Sequence, residues 1–248
     1  VLATIYTMSH NPSDFLKNLE HFAVTTGLAI EGDKARDNGF HNYLPGTLSN
    51  CHDRSDVERH SLRQSIPSAF PLAHGIHESE PSEWPRSVSS KLDKEWLLRP
   101  CTPKFPSKYH ADTSRSDFRT VTGKGPAFFE AHQLGVYDSV ASAREAMREF
   151  REALDLCRVH EYYQGETRWE VRDYRGGDDG FLAVSGYWDE HAKQQPVGSY
   201  IAVARVRNAV VVVDVSREIA PVKGEENPAT RGVRKAADFM VDKLRGQF

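Results

Sequence analysis

The most regular pattern of apolar and polar residues in the chain predicts an amphipathic helix at residues 139–157. Apolar side chains recur there at alternating spacings of four and three residues, which places them on one stripe of an α-helix. The stripe consists of Ala143, Met147, Phe150, Leu154 and Cys157. Ser142 and Glu145 match a capping box, and Asp138 and Ser139 are alternative caps. The pattern therefore places Cys157 on the buried side of the last turn.

A second helix is predicted near the end of the chain, roughly from Pro228 to Leu244. Asn227 suits the N-cap, Pro228 suits the first helical position, and Gly246 lies just past the end. The apolar stripe of this helix consists of Val233, Ala237, Met240 and Leu244. We therefore expect two main helices that each bury one face.

Strand patterns fill most of the chain between residues 117 and 215. Alternating or short apolar runs predict strands at residues 117–122, 128–137, 169–174, 181–188, 198–206 and 209–215. The last run begins with apolar residues on both faces, which is typical of a central strand covered on both sides. The predicted fold class is α+β, with a mostly antiparallel, twisted sheet of about five or six strands packed against the two helices.

Residues 1–60 differ from the rest of the chain because they are mostly polar and aperiodic. They predict a poorly ordered N-terminal extension with one short helix, which Asn11 would cap and Gly27 would end. From about residue 65 the pattern becomes that of a folded domain, so the predicted domain covers residues 65–248. Its first part is rich in proline, which argues against long regular elements there.

Composition excludes some classes of function. The 248 residues carry a net charge of -3 with both signs mixed along the chain, whereas nucleic-acid binding proteins show a basic stripe. We therefore expect no nucleic-acid partner. No apolar run approaches the length that crosses a bilayer, so we expect no transmembrane segment in this chain. Residues 22–30 are the nearest match to a secretion signal, but threonine and glycine interrupt them.

No motif in the sequence predicts a catalytic or metal site. His160 and Glu161 begin like the H-E-x-x-H zinc motif, but Gln164 stands where the second histidine is needed. The G-x-S-x-G turn of serine hydrolases is absent from the sequence. We therefore predict no enzymatic activity, no metal and no cofactor.

A small-molecule cleft is the one site that residue types suggest. Several aromatic residues with a few polar neighbours fall in the predicted strands and the turn between them, a combination typical of ligand clefts. The candidate residues are Trp169, Tyr187, Trp188, Asp189, His191 and Tyr200. The alternative is that the aromatic side chains only pack the sheet against its helices. A concave pocket lined by at least two of them would favour the cleft.

The order of several short motifs resembles a known family. IPSAFPLAHG at residues 66–75 is followed by Cys101 in a proline-rich piece, and VYDS at 136–139 leads into the helix that ends with Cys157. The turn GDDGFLAV at 177–184 and the strand VRNAVVVVDV at 206–215 then precede the terminal helix. Together, residues 65–248 resemble the actinobacterial PknH-like extracellular sensor domain, which occurs on receptor serine/threonine kinases and on free-standing lipoproteins.

The resemblance implies an exported, disulfide-bonded domain that binds a ligand in a cleft. Cys101 and Cys157 match the paired cysteines of that family, and closing a loop of about 57 residues would stabilise the fold by roughly 4 kcal/mol. Cys51, the third cysteine, has no matching partner. The resemblance also implies an extracellular or cell-surface location, a small-molecule or cell-envelope ligand, and a lipid anchor upstream.

The predicted function is therefore that of an exported ligand-binding or sensor domain without catalytic activity and without an attached kinase. Two alternatives stay open. The first is a secreted hydrolase-like enzyme whose site is assembled from scattered residues, and it requires a pocket where a histidine meets a carboxylate or a nucleophile. The second is a structural protein-interaction module.

Overall fold

A single antiparallel sheet dominates the computed structural model, which describes residues 62–77, 86–100, 109–125, 128–162 and 165–248. Within these residues the sheet has eight strands in the order β1-β2-β3-β8-β7-β6-β5-β4. The strands are β1 (Ser87–Ser89), β2 (Arg115–Gly125), β3 (Phe128–Tyr137), β4 (Val159–Tyr162), β5 (Gly165–Asp173), β6 (Asp179–Asp189), β7 (Gln194–Val206) and β8 (Ala209–Arg217). Every neighbouring pair is antiparallel, which confirms the predicted α+β class.

The predicted number of five or six strands was wrong. All six predicted strands are present, and the two additional strands, β1 and β4, lie at the two edges of the sheet. They contain three and four residues, so they are too short to show an alternating pattern in the sequence. They form because the long strands β2 and β5 each offer a row of backbone groups that a passing segment can pair with.

Both predicted helices are present, as α1 (Val140–Leu156) and α2 (Pro228–Arg245). Ser139 is the N-cap of α1, since its hydroxyl accepts a hydrogen bond from the Ser142 N–H at 3.0 Å. One of the alternative caps is therefore used, and Ser142 lies in the first turn. A short 3-10 helix (His110–Ser114) precedes β2.

The two helices contribute to separate apolar clusters, one on each face of the sheet. Helix α2 and the segment 66–76 share a cluster with strand residues such as Leu182 and Ala202, and we call this side the α2 face. Helix α1 shares the other cluster with Trp96, Leu98 and alternate strand residues such as Ala183 and Ile201, and we call this side the α1 face. Residues 209–215 of β8 are all buried, as expected for a strand covered on both sides.

Asn227 connects the start of α2 to the sheet, and this contact leads to a prediction. Its Oδ1 accepts from the Thr230 N–H at 2.9 Å, and its Nδ2 donates to the Tyr200 hydroxyl at 2.7 Å. Asn227→Ala is therefore expected to lower the free energy of unfolding by about 2 kcal/mol, because a cap and a partly buried hydrogen bond are lost together. Urea denaturation measures this loss.

Asn227→Asp is the matched control, since the aspartate keeps the capping oxygen and removes only the amide donor. We expect it to cost about half as much as the alanine variant. Equal losses for the two variants would contradict a stabilising role of the cap.

The structure describes residues within a unit that extends from Ser61 to Phe248. The predicted extension at residues 1–60 and its short helix lie outside the described residues, so the domain boundary stays a prediction. No helix in the described part of the chain is both long and apolar enough to cross a bilayer.

Candidate functional site

The α1 face carries a row of serine residues next to the apolar area that helix α1 shares. Ser185 of β6 pairs with Ser199 of β7, and Ser199 pairs with Ser216 of β8. Side chains alternate along a strand, so these serines share a face with Ala183 and Ile201, which lie two residues away. Three adjacent strands thus present one hydroxyl each at the same level of the sheet.

Aromatic residues continue this row on both sides. Phe129 of β3 pairs with Ser216, and Trp169 of β5 pairs with Ser185. Trp169 is half-buried and contacts the α1-face cluster. The registers of the long strands therefore align five residues as aromatic, three serines and aromatic. We call this line the serine row, defined by Phe129, Ser216, Ser199, Ser185 and Trp169.

A buried carboxyl group lies beside the serine row. Asp214 is two residues before Ser216 on β8, and its side chain accepts a hydrogen bond from the Ser216 hydroxyl at 3.4 Å. Ser216 is in turn 2.8 Å from the Ser199 hydroxyl. Asp214 is only 6% exposed, and this burial raises its pKa to about 7. The three side chains form a chain of polar groups that leads from the sheet interior to Ser199.

The serine row forms part of the floor of an open cavity of about 380 Å³. The cavity extends across six strands, and glycine and serine dominate its floor. Its lining residues are Gly125, Phe128, Phe129, Thr167, Ser185, Gly186, Tyr187, Val197, Gly198, Ser199, Ser216, Arg217 and Glu218. Small side chains on the floor and larger ones at the sides explain why the surface is concave here.

The two charged residues that line the cavity, Arg217 and Glu218, differ in whether they are free to contact a ligand. Arg217 donates to Glu130 at 2.5 Å, and the Glu130 side chain is only 4% exposed. Burial raises the pKa of Glu130, but hydrogen bonds from His77 and Arg217 outweigh it, and the pKa lies below its ordinary value. Arg217 is therefore engaged with an ionised carboxylate. Glu218, in contrast, is exposed to solvent.

The cleft residues proposed from the sequence are distributed over both faces of the sheet. Of the six candidates, Tyr187 alone is among the described residues that line the cavity, so the expected lining by at least two of them is not met. Trp169 lies at the end of the serine row. Tyr200 belongs to the α2-face core, where its hydroxyl donates to the Ile219 carbonyl at 2.9 Å and accepts from Asn227. Tyr200 thus has a packing role on the face opposite to the cavity.

The remaining three candidates lie at the far end of β6 and in the turn that follows it. Trp188 faces the opposite side from Tyr187, as neighbours on a strand do, and the Arg168 guanidinium lies 4.6 Å from the centre of its ring. Asp189 organises the turn by accepting from the backbone N–H groups of His191 and Lys193. The His191 side chain is 82% exposed. The structure therefore brings Trp169 and Tyr187 to the α1 face and places the other four elsewhere.

Sequence reasoning missed the serines and Asp214. One available signal was Asp214 itself, because a single carboxylate interrupts an apolar run that was predicted to be covered on both sides. The serines gave no such signal, since isolated serines in strands are common. Their alignment depends on strand register, which no local pattern encodes.

Cys157 is at the carboxyl end of α1 and is only 1% exposed, as the helical stripe predicted. It is not a free thiol. Cys101 and Cys51 lie outside the described residues, so the pairing of Cys101 with Cys157 stays a prediction.

The cavity does not show the grouping that the hydrolase alternative requires. Hydroxyl groups and a carboxylate are present, but no histidine is found among the residues that line it. Over the described ranges of the chain, no three histidine, cysteine, aspartate or glutamate side chains are grouped so that they could hold a metal ion. The residues that line the cavity offer a ligand hydrogen bonds, charges and aromatic contacts.

Comparisons with known proteins give matches among solved structures. No protein-family model matches the chain, and a search of the curated proteins finds no match. Among solved structures, the chain is similar to the extracellular domain of PknH from Mycobacterium tuberculosis, with 12% identity, coverage of 72% of this chain and 98% of that chain, and a TM-score of 0.46. It is also similar to an uncharacterised protein of Mycobacterium smegmatis, the Rv0999 ortholog.

That second match has 13% identity, covers 52% of this chain and 64% of that chain, and has a TM-score of 0.33. At these identities and TM-scores, neither match assigns a residue role or a ligand to this chain.

Proposed function

We propose that this domain is an exported sensor domain without catalytic activity that binds a small ligand in the cavity on the α1 face. The observation that carries the proposal is the cavity itself, whose floor of seryl hydroxyls is bordered by Phe129 and Tyr187. Ligand sites combine apolar or aromatic walls with a few placed polar groups in a concave surface of this size. The sequence resemblance to a sensor domain supports the same function.

The proposed location is outside the cytoplasm, and it rests on the sequence resemblance together with the proposed disulfide between Cys101 and Cys157. The segments on either side of residues 101–108 both contact α1. Trp96 lies edge-on to Phe150 at 5.5 Å, and Tyr109 lies edge-on to the same ring at 4.8 Å. These two contacts support the proposed pairing, because they join both flanking segments to the helix whose C-cap is Cys157. Attachment by an upstream lipid anchor belongs to the proposal and rests on the resemblance alone.

The proposed ligand site is tested by filling the cavity. Ser199→Leu places a branched side chain at the centre of the floor, and we expect it to abolish ligand binding while the protein stays folded. Ser90→Leu is the matched control, because Ser90 is exposed and does not line the cavity. The full chain and both variants are screened against one fragment library by saturation-transfer NMR.

We expect some fragments to bind the parent protein and Ser90→Leu, and to compete with one another for one site. The same fragments should not bind Ser199→Leu. Circular dichroism confirms that each variant is folded. A library without binders, or binders that Ser199→Leu leaves unaffected, would overturn the proposed site.

A further inference from the structure

Asp214 is a carboxyl group that the fold places in an apolar part of the sheet. Its cross-strand neighbours on the two adjoining strands are Ala131 and Ile201. Within the described part of the chain it has no cationic partner, and its one hydrogen bond is the 3.4 Å contact with Ser216. Burying a carboxyl group in this way destabilises a fold. A benefit other than stability is therefore needed to explain it.

The hydroxyl groups connect Asp214 to the cavity. Ser216 contacts both the Asp214 carboxyl and the Ser199 hydroxyl, and both serines line the cavity floor. A seryl hydroxyl can donate to a carboxylate while its own oxygen accepts from a ligand. An N–H donor placed over Ser199 and Ser216 would thus be stabilised by the negative charge immediately behind them.

The charge that the cavity offers to a ligand is negative. The Arg217 guanidinium is engaged with Glu130, as described above, whereas Glu218 is exposed at the same end of the cavity. A negatively charged ligand group would therefore approach the carboxyl groups of Asp214 and Glu218, and no described lining residue offers it an unengaged cation. A positively charged ligand group would be attracted by both carboxyl groups.

The aromatic side chains suit the same kind of ligand. Phe129 and Tyr187 are on strands at opposite sides of the floor. The face of an aromatic ring attracts a cation and also covers an apolar body. A ligand with one cationic end and a short apolar or aromatic body would use both features of the site.

From these observations we infer that the cavity binds a primary amine, whose ammonium group donates to the hydroxyls of Ser199 and Ser216 with Asp214 as its counter-charge. This inference rests on the proposed function, because it names the chemical class of the ligand for the same site. The ammonium group would also give the Asp214 carboxylate a cationic partner, which it does not have among the described residues.

Benzylamine and benzyl alcohol test the inference, since they share shape and differ in the charged group. Each is titrated at pH 8 and constant ionic strength into the ¹⁵N-labelled full chain, and the amide shifts of Ser199 and Ser216 are followed. We expect benzylamine to bind at least about 10-fold more tightly than benzyl alcohol, the range typical of a charged hydrogen bond.

Asp214→Asn and Ser216→Ala are each expected to weaken benzylamine binding about 10- to 100-fold. Asp242→Asn is the control for the loss of one charge, since Asp242 lies on α2 with its side chain 77% exposed, and it should leave the affinity unchanged. Thermal melting of each variant separates loss of binding from loss of structure.

Equal binding of the amine and the alcohol, or full affinity in Asp214→Asn, would overturn the inference. A different result would contradict the amine class and leave the proposed ligand site intact. If library fragments still bind in a Ser199-dependent way while benzylamine shows no preference over the alcohol, the ligand site stands and the amine class is wrong.

Discussion

Replacing Asp214 with asparagine is expected to raise the free energy of unfolding by about 4 kcal/mol at pH 8 and by about 2 kcal/mol at pH 5. Burial raises the pKa of Asp214 to about 7 from an ordinary value of 3.8. Between these two values the folded state holds a proton that the unfolded state has released. Stability due to this group therefore falls as the pH rises from about 4 to about 7, and the full cost is present above that range.

Asparagine avoids this cost because it is neutral at every pH and can still accept from the Ser216 hydroxyl. Urea denaturation of the parent protein and of Asp214→Asn at several pH values measures the difference. Asp242→Asn is the control and should change stability by less than about 0.5 kcal/mol, as exposed substitutions usually do. A variant no more stable than the parent at pH 8 would show that the carboxylate is held ionised by a partner.

This result also bears on the reason why Asp214 is present. If Asp214 lowers stability and is needed for amine binding, its role is functional. Such a trade-off between stability and function is common at binding sites. Increased stability combined with unchanged ligand affinity would instead leave the carboxyl group without a role in binding.

Replacing Cys157 with alanine is expected to lower the free energy of unfolding by about 4 kcal/mol, if Cys157 pairs with Cys101 as proposed. Without the bond, a loop of roughly 57 residues gains freedom in the unfolded state. Cys101→Ala should lower the free energy of unfolding by about the same amount. The double variant should lower it no further than either single variant, because all three lose the same disulfide bond. Denaturation under non-reducing conditions measures the losses.

Cys51→Ala is the matched control, since Cys51 has no partner in the proposed pairing, and it should change stability by less than about 0.5 kcal/mol. A non-reducing peptide digest should contain a linked pair of peptides that carry Cys101 and Cys157. A linked pair with Cys51 in place of Cys101 would contradict the proposed pairing, and with it one argument for the proposed location outside the cytoplasm.

Local patterns were sufficient for the long elements of the fold. Helix α1 was predicted because its apolar stripe repeats with the helical period, and α2 because Asn227 and Pro228 mark its start. The six long strands were each visible as alternation or as an apolar run. These signals succeed because helix caps and strand alternation depend on residues close together in the sequence.

The cleft residues predicted from the sequence lie on both faces of the sheet. Tyr187 and Trp169 were proposed as cleft residues and lie on the α1 face, whereas Tyr200 was proposed with them and is buried on the other face. A residue's face depends on its position along a strand and on how that strand is placed in the sheet. Aromatic composition alone could not separate these cases.

What the amino-acid sequence determined by itself is thus the set of elements: two amphipathic helices, six long strands and a central β8 covered on both sides. Only the tertiary structure decided that β1 and β4 extend the sheet, and that α1 and α2 belong to opposite faces. It also decided the register that aligns Ser185, Ser199 and Ser216 beside Asp214. The physical reason is that pairing between strands joins residues far apart in the chain, and a shift of one residue would turn each serine to the other face.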